Sequence, residues 1–189
     1  FWLEWLHRLL GRITGLALVL PYLYFLARRQ LPRWLVWRGA GLCLLVAAQG
    51  TVGWIMVASG LVDQPRVAPI KLGLHLLLAF ALFAALLWTR WQLNATPRGC
   101  GCRRLGIAAR ILLALATLQI FAGALVAGLR AGKTYNTFPL MDGELIPSGL
   151  ARLTPAWLNH LENITMVQFQ HRWLAVVVAV CTLVLALRE

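Results

Sequence analysis

Apolar residues fill five long stretches of this chain, and charged residues cluster between these stretches or near their ends. The stretches run from Trp5 to Leu26, Gly39 to Ala58, Pro69 to Thr89, Ile107 to Leu129 and Met166 to Leu187. Each approaches the roughly 18–20 residues that a helix needs to cross a bilayer. A barrel strand is about half that length, and backbone amides in lipid must find their partners within the helix itself. The pattern predicts an all-α integral membrane protein with five transmembrane helices.

The polar segments alternate in character. Arg28, Arg29, Arg33 and Arg38 join the first two stretches, and Arg90, Arg98, Arg103, Arg104 and Arg110 join the third and fourth. Neither segment holds an acid. Glu4, Asp63, Asp142, Glu144 and Glu162 fall on the other side. Arginine is retained on the cytoplasmic side of a membrane, so these loops are expected there. The starts of the first, third and fifth helices then face the periplasm of a cell inner membrane.

Composition agrees: 60% of residues are hydrophobic and the mean hydropathy is +0.74. The net charge of +12 does not point to nucleic acid, because the arginines flank apolar spans instead of forming one basic face. No short apolar stretch is followed by the small-residue cleavage site of a signal peptide. Four cysteines do not make a disulfide framework: Cys43 and Cys181 lie within spans, and Cys100-Gly-Cys102 lies in an arginine-rich loop. A CxC with no second pair or nearby histidine is weak as a metal site.

The longest connection, about 130–165, holds Tyr135-Asn136-Thr137-Phe138-Pro139 and several glycines and prolines. Phe138, Leu140, Met141, Leu145 and Ile146 make it too apolar for a disordered tail. An ordered cap over the bundle is expected. There is also an internal echo. Gln49-x-x-x-Gly53 in the second span recurs as Gln119-x-x-x-Gly123 in the fourth, and His7-Arg8 recurs as His171-Arg172. Bundles built from repeated halves place ligands at corresponding positions.

Ionisable groups inside membrane spans are costly and mark function. His7, His75 and His171 each lie within about two turns of the start of a span, and those three spans run in the same direction. One turn further on stand Gly11, Ala79 and Ala175. Positions i and i+4 share a helix face. A histidine followed by a small residue leaves room for a flat ligand, as haem requires of an axial imidazole. A lone interfacial histidine is otherwise a polar anchor, and Gly11-x-x-x-Gly15 alone is a helix-packing seam. Zinc would want more converging ligands. Three residues before His7 stands Glu4; three before His171 stands Gln168. This difference suggests a reactive site in one half and an electron-carrying site in the other, although a first-turn acid also suits the helix dipole. Arg8, Arg172 and the deeper Arg12 are candidate partners for haem propionates. Snorkelling to lipid headgroups is the alternative.

Several segments together resemble haem A synthase of the mitochondrial and proteobacterial type. They are Glu4-x-x-His7-Arg8-x-x-Gly11-Arg12, Gln49-Gly50-x-x-Gly53-Trp54-x-Met56-Val57-x-Ser59-Gly60-Leu61, His75-Leu76, Ala131-Gly132-x-x-Tyr135-Asn136-Thr137-Phe138-Pro139-Leu140-Met141 and Glu162-Asn163-x-x-x-Val167-Gln168-Phe169-x-His171-Arg172. The resemblance covers essentially the whole chain. The Tyr-Asn-Thr-Phe-Pro and Gln-Phe-x-His-Arg segments are its specific parts.

That family has eight spans in two repeated four-helix halves and oxidises the C8 methyl of haem O to the formyl of haem A, the cofactor of terminal oxidases. The resemblance implies that His7 and His75 flank the substrate haem, that Glu4 assists the oxidation as catalytic residue, and that His171 is an iron ligand of haem b. It implies membrane lipid, haem O and an unidentified electron donor as partners, with haem O synthase and oxidase assembly factors as further candidates. Residues 1–92 then form first-half helices with the substrate haem site, 93–106 a cytoplasmic loop, and 107–189 the start of the second half with its periplasmic loop at 130–165. Against the family pattern, one span is expected before Phe1. Two more are expected after Glu189, with the partner histidine of His171. The extracellular cysteine pairs of some relatives are absent.

A non-catalytic membrane cytochrome b that only passes electrons is the competing reading. Glu4 discriminates, because methyl oxidation gains from a carboxylate that takes a proton or stabilises a developing cation. A transporter would place ionisable residues near the bilayer midplane, and none is seen there.

Overall fold

A helix in lipid must satisfy every backbone amide internally, and each apolar stretch does so by running helical along its whole length. In the computed structural model, which describes residues 2–60, 68–94 and 103–187, five long helices account for all five stretches. They are α1 (Trp2–Ala27), α2 (Arg33–Gly60), α3 (Pro69–Leu93), α4 (Arg103–Gly128) and α6 (Ile164–Ala186); a single turn, α5 (Asn159–Glu162), precedes the last. Among the described residues there is no strand beyond one isolated bridge, Met141 to Glu144. All five long helices are long and apolar enough to cross a membrane. The protein is an integral membrane protein. Its outer side chains fit that setting: Leu113 and Leu183 keep 67% and 60% of their surface open, as lipid-facing residues do.

The helices overrun the predicted spans where polar residues continue a helical pattern. Arg33 and Arg38, expected in a connecting loop, both lie in α2, which starts straight after Pro32. Trp34, Leu35, Val36 and Trp37 between them give that first turn an apolar side, so it extends into the interface. The link from α1 is short. Arg29 takes a left-handed φ of 53°, and the Gln30 amide reaches back to Phe25 O at 3.0 Å, closing the helix end.

The chain forms two compact units. One comprises Phe1–Ile55 and Leu78–Thr96, the other Met56–Leu77 and Pro97–Glu189. In the first, Gly39 lets α2 lie against the Tyr22 ring, which leaves no room for a Cβ there. Tyr22 Oη donates to Val36 O at 3.1 Å, which ties the end of α1 to the start of α2. Arg38 Nη1 reaches Thr89 Oγ1 at 3.4 Å, joining α2 to the end of α3.

In the second unit α4 and α6 run antiparallel, the C-terminal half of α4 packing against the N-terminal half of α6. Small residues allow the close approach. Ala122, Ala124 and Leu125 of α4 and Val167 of α6 are buried there. Gly73 of α3 lies against the Phe121 ring, and Gly128 lies against Pro69, whose Cα would be 2.8 Å from an added Cβ.

The segment joining α4 to α6 is an ordered structure. Arg130 turns the chain with a φ of 55°, and a 3-10 turn, Ala131–Lys133, follows with Ala131 fully buried. Met141 and Glu144 then exchange backbone hydrogen bonds of 2.8 and 3.2 Å around Asp142 and Gly143, both at positive φ. That is a two-residue hairpin turn of the kind an Asp-Gly pair favours. Further on, Asn159 donates to Leu153 O and Ala156 O at 2.8 and 3.0 Å and accepts from the Leu153 amide at 2.9 Å. Asn163 caps α6: its Oδ1 accepts from the Thr165 and Met166 amides, while its Nδ2 donates to Gly149 O and Asn159 Oδ1, both at 2.9 Å.

Candidate functional site

Helix geometry gives the three singled-out histidines similar places along their own helices. His7 is the sixth residue of α1, His75 the seventh of α3 and His171 the eighth of α6. At 1.5 Å per residue each lies about 8–11 Å in from its helix start. His7 belongs to the first compact unit; His75 and His171 belong to the second. His7 is exposed, and His75 and His171 are half-buried. Among the described residues, no three of His, Cys, Asp and Glu converge as a metal-binding group. Cys100 and Cys102 lie outside the described residues.

On α1 the expected cluster occupies one exposed face. Arg8 Nη2 donates to Glu4 Oε1, an ion pair at i,i+4 spacing with both side chains open to solvent or lipid headgroups. Arg12 lies one turn deeper and is exposed. At Gly11, one turn beyond His7, an added Cβ would meet nothing within 4 Å among the described residues. The flank of the helix below His7 is therefore open.

Around His171 the geometry is denser. Gly123 of α4 faces the ring, and a Cβ there would stand 3.1 Å from His171 Cε1. Gln119, one turn before Gly123 and on the same face, places its Nε2 3.1 Å from His171 Nδ1. The repeated Gln-x-x-x-Gly spacing thus frames an imidazole here, a contact that sequence alone did not assign. Gln119 Oε1 is buried and meets no donor among the described residues.

Arg172 and Gln168 point away from that contact, towards the segment that joins α4 to α6. The Arg172 guanidinium donates to Thr137 O, to Leu140 O at 3.2 Å and to Tyr135 O at 2.7 Å. Gln168, buried, donates to the same Tyr135 O at 3.0 Å. Tyr135 Oη and Thr165 Oγ1 share a hydrogen bond of 3.1 Å. The Tyr-Asn-Thr-Phe-Pro segment is thereby fastened to the turn of α6 that carries His171. Arg172, a candidate propionate partner on the sequence reading, and Gln168 together hold this loop down. His160, the fourth histidine, is clasped by Gln170: its Nδ1 lies 3.2 Å from Gln170 Oε1, and its carbonyl accepts from Gln170 Nε2 at 2.7 Å.

The profile of the cytochrome oxidase assembly protein family, COX15-CtaA, matches residues 1–189. The chain belongs to this family. Among its curated relatives is a Heme A synthase of Nitrosospira multiformis, 47% identical over 184 residues, which are 95% of this chain and 52% of that protein. A Heme A synthase of Rhodopseudomonas palustris strain BisA53 is 52% identical over 177 residues, 93% of this chain and 49% of its own length. One from Wolbachia pipientis is 44% identical over 189 residues, 99% of this chain and 57% of its own. The chain spans about half the length of the curated relatives it matches. No solved structure matches it.

Proposed function

We propose that this chain is the substrate-binding and electron-carrying part of a haem A synthase, which oxidises the C8 methyl of haem O to the formyl of haem A for terminal oxidase assembly. One observation carries the reading: identity to proteins named Heme A synthase runs over 93–99% of the chain. In this reading further helices outside residues 1–189 complete the eight-helix bundle of two repeated halves, placed in a cell inner membrane.

The residues present fit the groups this activity needs. A glycine facing the His171 ring and a buried amide oxygen beside it, with no donor among the described residues, suit an imidazole that ligates a haem b iron. The open flank at Gly11 suits a porphyrin lying against α1 below His7. Bound haem b supplies one-electron transfer; the chain's own residues orient, hold and exclude. His7 and His75 flank the substrate haem O. Arg8 pairs with Glu4 and holds it along the His7 face, where a carboxylate can take a proton or stabilise a developing cation during the oxidation. Arg12, deeper and exposed, is the better candidate for a propionate, because Arg8 is engaged by Glu4 and Arg172 by three carbonyls.

Pigment extraction from the purified full-length parent tests the reading. Haem O or haem A beside haem b is expected, and replacing either His7 or His75 by Ala should abolish haem A formation. Haem b alone, in the unaltered protein supplied with haem O, would leave a membrane cytochrome b in its place.

A further inference from the structure

His171 touches α4 at two residues one turn apart. Gly123 lets the Cε1 edge of the ring approach the helix, and Gln119 contacts the ring through the 3.1 Å approach of Nε2 to Nδ1. An amide nitrogen only donates. With the carboxamide nitrogen turned to the ring, Nδ1 can only accept, which pairs with a ring proton on Nε2. A histidine that ligates iron through Nε2 needs the other tautomer, with its proton on Nδ1 and an acceptor facing that proton. Gln119 carries such an acceptor on the same carboxamide. Its Oε1 is buried and has no donor among the described residues, an unfavourable state for a carbonyl. A half-turn of the terminal torsion brings Oε1 onto Nδ1 and relieves that state, provided Nδ1 holds the proton.

We infer that Gln119 is the positioning residue for His171 as an axial ligand: its amide donates to Nδ1 when the ring is free, and turns Oε1 onto Nδ1–H when Nε2 binds haem iron. This rests on the reading of His171 as a haem ligand. No group is transferred in the switch. The ring proton exchanges between its two nitrogens, and the amide reverses to match. The role goes beyond holding the ring in place, because an acceptor on Nδ1–H increases the basicity of the ligand and favours ferric iron.

Three variants of the full-length parent, loaded with haem, test this: Gln119→Leu, Gln119→Glu and His171→Ala. The readouts are the midpoint potential of the low-spin haem b and the electron paramagnetic resonance of its ferric form. Gln119→Leu removes the acceptor and should raise the potential, by about a tenfold change in the electron equilibrium, or about 59 mV for one electron. Gln119→Glu offers a stronger acceptor and should lower it, with the low-spin signal retained. His171→Ala should abolish that signal. If His171→Ala abolishes the signal but neither Gln119 variant moves the potential, the role of Gln119 is overturned while His171 stands as ligand. A low-spin haem untouched by His171→Ala overturns both. Should Gln119→Leu fail to accumulate, Gln119→Glu decides alone: an unchanged or raised potential overturns the inference.

Discussion

Glu4 and Arg8 form a pair that stability alone does not require. An exposed ion pair of this spacing contributes about 0.2–0.5 kcal/mol to a helix, and an acid in the first turn a similar amount. Glu4→Gln should therefore leave the bundle and its haem content intact. Haem A should nevertheless fall, with haem O or a hydroxylated intermediate accumulating on pigment analysis; a normal yield of haem A would make Glu4 structural. Arg172 is different, because its guanidinium gathers three carbonyls of the 135–140 loop. A lysine cannot span them with one ammonium group. Arg172→Lys should raise amide hydrogen exchange across 135–140, whether or not haem is bound. Unchanged protection would show that these contacts do not hold the loop.

Glycines decide how closely the helices approach, and they differ in what surrounds them. Gly128 abuts the Pro69 backbone, which cannot swing aside as a side chain can. Gly128→Ala should destabilise the protein by about 1–3 kcal/mol through overpacking. Gly41 has nothing within 4 Å of an added Cβ, and Gly41→Ala should be neutral or stabilise α2 by about 0.5–1 kcal/mol. Thermal unfolding of the two variants in detergent would separate them; equal midpoints would contradict the packing at Gly128. The helices themselves were legible in the sequence, because about twenty apolar residues in a row leave the backbone few alternatives to a helix in lipid. Their ends were less so. The first turn of α2 mixes arginine with tryptophan and reads equally as a loop at the interface.

At the level of the whole molecule, the sequence singled out His171 but not what surrounds it. The Gln119 contact spans 52 positions and depends on how α4 and α6 pack, which hydrophobic periodicity does not specify. The tie between Arg172 and the Tyr135 carbonyl was hidden for a similar reason, since a backbone acceptor leaves no signature in a side-chain pattern. Charge, not packing, carries the membrane orientation we propose. If the 28–38 and 90–110 segments are cytoplasmic, a reagent that cannot cross the membrane should miss Cys100 and Cys102 in intact cells. The same reagent should label a cysteine placed at Ser148 in the exposed outer segment. The reverse labelling would invert the topology, and with it the side on which the histidines lie.

Asn163 does two things with one amide: its oxygen starts α6, and its nitrogen holds Gly149 and Asn159. Fraying of the helix and release of the loop are therefore one event. The amide protons of Thr165 and Met166 become a gauge for a loop more than ten residues upstream. They should exchange at the rate at which the outer segment lifts, and slow together with it when the site below is filled.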